Sequence, residues 1–324
     1  MFVLDQFNGL KALVVGDVMI DAYSHGVIER MSPEAPVPIV NIRNRFNRLG
    51  GAANVAVNLK AMGADPLVVS VTGKDPSSST LIQLMHQQGL DCHGIFQSTH
   101  RKTTIKHRIF DQDKQLLRID EEDCFDLCDE EYHILEENIK KIIDENHVDV
   151  IILQDYNKGV LSSSMIQFIL NQAHGKAIPV AVDPKKNNFF NYQEVTLFKP
   201  NAKELRDGLS THAETIDELR EAAFQMQRMI HCKYLMVTLS EQGVMILHDG
   251  DFLHLPAHPR NIVDVSGAGD TVLSVAALCV ASHYDAPTIA HLSNIAGGLV
   301  CEEVGVSPID KQRFTKEIQR LCHG

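Results

Sequence analysis

Short apolar runs alternate with longer amphipathic segments along most of this chain, and this alternation restricts the possible folds more than any other feature. The runs are rich in β-branched residues and end near Gly, Asp or Asn, as buried parallel strands do. Strands are predicted at 11–16, 66–71, 148–153, 179–182, 195–198 and 234–239. Helices are predicted at 52–62, 77–88, 130–146, 163–174, 214–230, 268–282 and 287–303. This order predicts an α/β fold with a mostly parallel central sheet flanked by helices.

Two stretches interrupt this rhythm and predict a second, smaller sheet. Residues 37–42 and 103–119 have the composition of strands but are not followed by helices. We expect them to meet in space as a small β-sheet lid beside one main domain that spans residues 1–324. Such a sheet has open edges, which pairing with a second copy would cover, so a homodimer through the β lid is expected.

Composition narrows the partners and the compartment. The net charge of −12 argues against a general surface for nucleic acid or anionic membrane, so any bound anion needs a local site. No apolar run approaches the 18 or more residues of a membrane span. The seven cysteines are scattered and odd in number, which predicts reduced thiols. These observations predict a cytoplasmic protein whose partners are small molecules.

Two common nucleotide-binding motifs are absent. Gly73-Lys74 is followed by Asp75, so the sequence lacks a P-loop. Gly267 and Gly269 lack the third glycine of a dinucleotide fingerprint and lie far from the first strand. These absences argue against a P-loop ATPase and against a nicotinamide-dependent oxidoreductase.

The strongest local signal is the run from Asp264 to Thr271 (DVSGAGDT), which leads into an apolar helix. Its two glycines permit a tight turn, and the amides from Gly267 to Asp270 can then point at one anion. A carboxylate inside such a cradle is explained if Asp270 accepts the proton of a hydroxyl that attacks a phosphoryl group. An ordinary helix start with an acidic residue in its first turn explains the residues equally well.

Two further runs carry polar groups. The Gly50-Gly51 pair leads into a predicted helix with Asn54 in its first turn, which indicates either close packing or contact with a hydroxylated ligand. Asn201 follows a predicted strand, with Glu204 three residues later. Asn201 can cap a helix, while both side chains also offer oxygens of the kind that hydrated Mg²⁺ prefers.

Together these residues resemble the ribokinase-like (PfkB) family of sugar kinases. The resemblance rests on the run from Gly50 to Asn54 (GGAAN) and on the run from Asp264 to Asp270 (DVSGAGD). Landmarks typical of the family lie between them, at 155–159, 182–185, 199–204 and 237–243. The resemblance covers nearly the whole chain and implies a ribokinase-like fold and ATP-dependent phosphorylation of a carbohydrate.

Within the family the chain looks most like the heptose 7-phosphate kinases of ADP-heptose synthesis. The similarity lies in the runs 16–23, 31–38, 117–120 and 155–159. It implies phosphorylation of D-glycero-β-D-manno-heptose 7-phosphate at its C1 hydroxyl. Many relatives carry a C-terminal nucleotidyltransferase; because this sequence stops soon after the last kinase helix, no such domain is expected in it.

The resemblance also assigns roles to individual residues. Asp270 would be the catalytic base, with an anion hole formed by the amides of Gly267, Ala268 and Gly269. ATP and Mg²⁺ are the implied cofactors, with Glu204 holding the metal through water, and a monovalent cation such as K⁺ is left open. The residues implied for the nucleotide side are Lys199, Asn201, Glu204, Ser240 and Gly243.

The resemblance also implies two kinds of contact to the substrate, one to the sugar hydroxyls and one to the phosphate. Hydroxyl contacts are implied for Asp17, Asp21, Gly50, Gly51 and Asn54. Carboxylates suit this task because each accepts several hydrogen bonds. The candidates for the phosphate of the sugar phosphate are Arg118, Lys158 and Lys185.

Two alternatives remain open. Ala22 stands where relatives have Arg, which keeps another sugar or nucleoside kinase of the same family as an alternative. A non-catalytic sugar- or nucleotide-binding protein is the other, because a fold does not determine a function.

Overall fold

The computed structural model describes residues 3–322. Its strands are β1 (Lys11–Gly16), β2 (Val18–Met31), β3 (Pro38–Gly51), β4 (Asp65–Gly73), β5 (Ile95–Ser98), β6 (Ile105–Asp111), β7 (Lys114–Glu121), β8 (Val150–Gln154), β9 (Val180–Asp183), β10 (Leu197–Phe198), β11 (Tyr234–Thr238), β12 (Val244–His248) and β13 (Asp251–Leu255). Its helices are α1 (Ala52–Met62), α2 (Pro76–Gln87), α3 (Asp129–Glu145), α4 (Ser163–Lys176), α5 (Ala202–Leu209), α6 (Ile216–Ile230), α7 (Ala268–Ala281), α8 (Ala286–Val300) and α9 (Lys311–Cys322).

The main sheet has nine strands in the order β13-β12-β11-β10-β9-β8-β1-β4-β5. All pairings from β11 to β5 are parallel, and only β12 and β13 are antiparallel. The predicted α/β order is confirmed, and α1 has the predicted bounds. The sequence prediction missed α5, α9 and the short strand β5.

Alternate residues of the central strands enter two separate apolar cores. Ala12 and Val14 of β1 pack with α1, α2, α7, α8 and α9, whereas Leu13 and Val15 pack with α3, α4, α5 and α6. Burial on both faces is what a parallel sheet requires, because its crossover helices cover both sides. The two layers of helices leave the strand ends free to carry polar residues.

The second sheet has four strands in the order β3-β2-β6-β7. The prediction was wrong about its extent: β2 was missed, and β3 runs from Pro38 to Gly51 instead of ending at residue 42. The glycines Gly50 and Gly51 therefore end a strand, paired with Met19 and Val18, and do not form a separate turn. The prediction failed because each face of β2 and β3 mixes apolar and polar residues, so neither strand shows the clear alternation on which the prediction depends.

No helix within residues 3–322 is long and apolar enough to cross a membrane. In the same part of the chain, the cysteines with described side chains form no disulfide.

Candidate active site

Polar residues gather at the edge where the parallel strands of the main sheet end. Asp17 follows β1, Gln154 ends β8, Asp183 ends β9 and Lys199 follows β10. Helix α7 begins at this same edge, because Asp270 in its first turn lies 3.2 Å from the Gln154 side chain. Ligands of open parallel sheets bind at the carboxyl ends of the strands. The fold thus places three acidic residues, a side-chain amide and a lysine along one edge of the sheet.

Asp270 is buried and held by three donors. Its Oδ2 accepts from Asn54 Nδ2 at 2.8 Å, and its Oδ1 accepts from Tyr156 OH at 2.9 Å and from Gln154 Nε2 at 3.2 Å. Burial raises the pKa of Asp270 to about 7, with a contribution from the charge of Asp183, while the donated hydrogen bonds oppose this rise. A carboxyl group with this pKa is suited to general base catalysis at neutral pH.

The run predicted to be an anion cradle lies at the start of α7, from its N-cap Gly267 to Asp270 in the first turn. Gly267 has φ +80°, a conformation that favours glycine, and it precedes the first helical residue. Within residues 3–322, the amides of Gly267, Gly269 and Asp270 have no hydrogen-bond acceptor. The amide of Ala268 differs from the expectation, because it donates to the carbonyl of Val265 at 3.3 Å. The helix dipole adds positive potential where the free amides point.

The space in front of this cradle is open. A Cβ at Gly269 would lie 3.8 Å from Lys199 Nζ and 3.9 Å from Asp183 Oδ2, which are ordinary contact distances. The protein itself therefore does not require glycine at position 269. A ligand anion between the amides and Lys199 would require it, because a methyl group would occupy that space.

A chain of alternating charges extends from the cradle. Lys199 is buried, and its Nζ lies 3.0 Å from Asp183 Oδ2. Lys185 Nζ lies 3.8 Å from Asp183 Oδ1 and also pairs with Glu204. Burial disfavours the charge of Lys185, but Asp183 and Glu204 together raise its pKa above the usual value. Lys185, expected at the sugar phosphate, therefore lies with the residues expected on the nucleotide side.

Asn201 and Glu204 form a capping box at the start of α5. Asn201 Oδ1 accepts from the Glu204 amide at 2.8 Å, and Glu204 Oε2 accepts from the Asn201 amide at 2.9 Å. No group of three or more His, Cys, Asp or Glu side chains that could hold a metal ion exists in residues 3–322. The buried Oδ1 of Asp183 has no hydrogen-bond donor there. Asp183 and Glu204 are carboxylates of the kind that hold a hydrated Mg²⁺ through water, and Lys185 pairs with both of them in this structure.

Ser240 and Gly243 lie in the turn between β11 and β12. Gly243 has φ +89°, and a Cβ there would meet the Leu255 carbonyl oxygen at 2.0 Å, so the fold itself requires this glycine. Ser240 is exposed. The turn follows Thr238, which bridges to Asn201, so it neighbours the nucleotide-side residues at the same sheet edge.

Asp17 is buried in the site, and its carboxylate oxygens already accept hydrogen bonds from backbone amides. Its Oδ2 accepts from the amides of Tyr156 at 2.8 Å and Lys158 at 3.1 Å, and its Oδ1 from the Val160 amide at 3.2 Å. The loop after β8 is therefore held by this carboxylate. Gly51 packs so close to the Asp17 carbonyl that a Cβ would lie 2.2 Å from it. These contacts explain Asp17 and Gly51 without a sugar.

Asp21 is placed differently, on the face of β2 that carries charges. It pairs with Arg108 of β6, whose guanidinium also lies 5.5 Å from the centre of the Tyr23 ring. A Cβ at Gly50 would meet Asp21 Oδ2 at 2.2 Å, so this glycine lets β3 pass the carboxylate. Gly50 stands four residues before Asn54, whose side chain donates to Asp270, so a short segment of chain connects this ion pair to the site of the base.

Further cations lie on the second sheet and beside it. Lys106 of β6 lies 3.2 Å from Glu122, and Lys158 lies 2.7 Å from the same carboxylate. Arg118 of β7 is half-exposed and lies 2.9 Å from Asp120. The predicted Arg118 and Lys158 are thus on the side of the second sheet, each paired with a carboxylate.

Sequence analysis missed three of the residues that complete this site. Gln154 and Tyr156 contact Asp270, and Arg108 pairs with Asp21. Their signals were present. Gln154 and Tyr156 come directly after a predicted strand, and Arg108 shares a strand face with Lys106 at a spacing of two residues.

Comparison with known proteins identifies the family of this chain. The model of the pfkB family of carbohydrate kinases matches residues 10–312. Bifunctional protein HldE of Methylobacillus flagellatus is 39% identical over 307 residues, which are 95% of this chain and 63% of that protein. Bifunctional protein HldE of Pseudomonas aeruginosa is 36% identical over 319 residues, 98% of this chain and 65% of that protein. This chain thus spans less than two thirds of these relatives.

Solved structures show the same fold. Phosphofructokinase-2 from Escherichia coli, in complex with potassium, superposes with a TM-score of 0.81 at 17% identity, over 97% of this chain and 99% of that one. Ribokinase of Arabidopsis thaliana, complexed with ribose and ATP, has a TM-score of 0.72 at 15% identity, over 95% and 98% of the two chains. The expected ribokinase-like fold, with its separate small sheet, is confirmed. With the family model matched over most of its length, the chain belongs to the pfkB family of carbohydrate kinases.

Proposed function

We propose that this kinase transfers the γ-phosphoryl group of ATP to the C1 hydroxyl of D-glycero-β-D-manno-heptose 7-phosphate. The products are the 1,7-bisphosphate and ADP, in the synthesis of ADP-heptose for lipopolysaccharide. The observation that carries phosphoryl transfer is Asp270, a buried carboxyl group in the first turn of α7, beside three free amides. The heptose is supported by the sequence resemblance and by the similarity to proteins named HldE.

In the proposed reaction Asp270 accepts the proton of the C1 hydroxyl as that oxygen bonds to the γ-phosphorus. The bond from this phosphorus to the β,γ-bridging oxygen breaks, and ADP leaves with the electron pair. Free amides of the cradle and Lys199 face the same open space and would stabilise negative charge on the transferred group. Mg²⁺, held through water by Asp183 and Glu204, would neutralise charge on the ATP phosphates.

The second sheet supplies the proposed contacts to the sugar phosphate. Its charged face carries Lys106 and Arg108, to which Lys158 adds a third cation. Guanidinium groups bind phosphate through two parallel hydrogen bonds, so Arg108 can exchange its carboxylate partner for the substrate. Of the three cations expected from sequence, we retain Arg118 and Lys158 here and assign Lys185 to the nucleotide side.

The departure at Ala22 does not weaken the heptose proposal. Asp21 and Tyr23 share a face of β2 with Arg108, whereas Ala22 points to the other face and packs against the main core. An arginine missing at this position therefore removes no group from the charged face. The alternative, another sugar kinase of the family, shares Asp270 and differs in the sugar contacts.

Phosphorus NMR of the purified protein with Mg²⁺, ATP and heptose 7-phosphate tests the proposal, with ribose and fructose 6-phosphate in parallel. An anomeric phosphate signal with the heptose alone is the expected result. Turnover of another sugar would discard the heptose and retain the kinase. No turnover of any sugar would favour the binding-protein alternative. Repeating the assay with K⁺ replaced by tetramethylammonium tests the monovalent cation.

The proposed assembly is a homodimer through the second sheet. Strand β7 is an edge of that sheet, and its Leu117 and Ile119 are exposed apolar side chains on one face. Pairing of two copies would cover this face and the open edge. Light scattering at micromolar concentration should give the mass of a dimer, and Leu117→Lys should give a monomer. A monomeric wild-type protein would contradict the proposal, as would an unchanged mass for the variant.

A further inference from the structure

The hydrogen bonds of Asp270 are distributed unequally over its two oxygens. Oδ1 accepts two, from Tyr156 OH and Gln154 Nε2, whereas Oδ2 accepts one, from Asn54 Nδ2. A carboxylate offers about two acceptor positions on each oxygen. No other donor from residues 3–322 reaches the carboxylate, so one position remains, and it lies on Oδ2. A sugar hydroxyl can therefore reach the base through Oδ2 without displacing a protein donor.

Tyr156 is held at both ends. Its amide donates to Asp17 Oδ2 at 2.8 Å, and its hydroxyl donates to Asp270 Oδ1 at 2.9 Å. The Lys185 ammonium lies 5.5 Å from the ring centre, a cation–π distance. Burial and the nearby charge of Asp270 raise the pKa of Tyr156 well above its ordinary value. The hydroxyl therefore stays protonated and acts only as a donor to the base.

We propose that Tyr156 is a positioning residue that holds Oδ1 of Asp270 and thereby directs Oδ2 to the sugar hydroxyl. This inference rests on the proposed role of Asp270 as the base. Tyr156 contacts the base and not the reacting atoms, so its effect passes through the orientation and charge of the carboxylate. Gln154 supports the same oxygen with a longer hydrogen bond.

The charges around the base determine what loss of the Tyr156 hydroxyl does. Asp183 of β9 favours protonation of Asp270, whereas Lys199 after β10 and Asn54 of α1 favour the carboxylate. Lys185 faces both Asp270 and Tyr156 from the loop after β9. Tyr156 favours the carboxylate as well, so removing its hydroxyl raises the pKa of Asp270. The base then needs a higher pH to lose its proton.

Tyr156→Phe tests this, with Tyr192→Phe as the matched control. Tyr192 is buried and donates to a buried carboxylate, Asp155, at 2.8 Å, much as the half-buried Tyr156 donates to Asp270, but it does not contact the base. We expect Tyr156→Phe to shift the acid limb of kcat/KM upward by about one pH unit, the equivalent of one hydrogen bond. Tyr192→Phe should leave the limb where it is in the wild type. If the acid limb of kcat/KM lies at the same pH in the wild type and in both variants, the proposal is overturned.

A direct titration separates this inference from the proposed function. Carbon-13 NMR of labelled aspartate carboxyl groups follows Asp270 without substrate, with Asp270→Asn for assignment. The midpoint of Asp270 should rise in Tyr156→Phe and not in Tyr192→Phe, and an unchanged midpoint refutes the contact. If the wild type phosphorylates no sugar, the proposed function fails while this titration still gives an answer.

An isosteric replacement covers the case in which Tyr156→Phe does not fold. Site-specific 3-fluorotyrosine at position 156 keeps the ring and hydroxyl and makes the phenol a stronger donor. It should lower the Asp270 midpoint, the opposite sign to Tyr156→Phe. A midpoint equal to that of the wild type would again contradict the proposal.

Discussion

Asp270 and Arg108 are both charged groups assigned to the reaction, but their surroundings differ. Asp270 is buried at the edge of the main sheet and held by three neutral donors. Arg108 belongs to the second sheet, is partly buried, and is neutralised by one carboxylate, Asp21. The base therefore has a fixed geometry before any ligand binds, whereas the cation has a partner that a phosphate can replace.

The two surroundings suit two different tasks, the transfer of a phosphoryl group and the selection of the sugar phosphate. Neutral donors can orient a carboxylate without cancelling its charge, so the base keeps its function in a dry site. The Arg108–Asp21 pair is mostly buried, so only an anion that binds the guanidinium as well as the carboxylate does, such as a phosphate, can take its place. We infer that the main sheet provides phosphoryl transfer and that the second sheet selects the sugar phosphate.

The largest expected effect comes from Asp270→Asn. Without the base, kcat should fall by about 100- to 10,000-fold, while ATP binding, measured by calorimetry, should persist. Asp155→Asn is the control, because Asp155 is a buried carboxyl group that also accepts from a tyrosine hydroxyl. The control should lose stability more than turnover. Equal losses of kcat in both variants would remove the special role of Asp270.

Gly269→Ala tests whether the cradle is open for an anion. The methyl group contacts Lys199 and Asp183 at ordinary distances, so the variant should fold with nearly unchanged stability. It should lose about 100-fold in kcat, since it blocks the amides that stabilise the transferred group. Gly175→Ala, whose added Cβ meets nothing within 4 Å, is the control and should keep full activity. Full activity in both variants would contradict the cradle assignment.

Arg108→Gln tests the second sheet. Loss of a charged hydrogen bond should raise KM for the sugar phosphate by about 10- to 100-fold, with a smaller change in kcat and in KM for ATP. Arg43→Gln is the control, because Arg43 pairs with Glu29 on the same sheet but is exposed. If kcat falls and KM does not rise, Arg108 takes part in phosphoryl transfer, and the second sheet does more than select the substrate.

The smallest effect expected is the pH dependence of the wild type. Burial raises the pKa of Asp270 to about 7, and the base works only when it is deprotonated. The rate of the chemical step should therefore fall as the pH drops through 7, approaching about tenfold per pH unit below it. Single-turnover measurements would contradict this if the rate of the chemical step fell only near the usual pKa of aspartate. The base would then be solvated, and the surroundings of Asp270 and Arg108 would differ less than proposed.

Much of the fold and part of the site could be predicted from the sequence. Apolar runs indicated the parallel strands, and the glycines before Asp270 indicated a helix start with free amides, which the structure contains apart from Ala268. The long strand β2 could not be predicted, because each of its faces mixes apolar residues with polar or charged ones, which hides the alternation typical of a strand. Lys185 was expected at the sugar phosphate but pairs with Glu204, because the loop after β9 lies beside the start of helix α5, which follows the neighbouring strand β10.

The sequence by itself determined most of the alternating order of strands and helices, the presence of a second sheet, and the short motif that ends in Asp270. These depend on local periodicity and turn chemistry, which nearby residues decide. Only the tertiary structure decided which donors hold the base, because Asn54 and Tyr156 lie far from Asp270 along the chain. Sheet order and register bring them together, and partners set by register have no signature in any one segment of the chain.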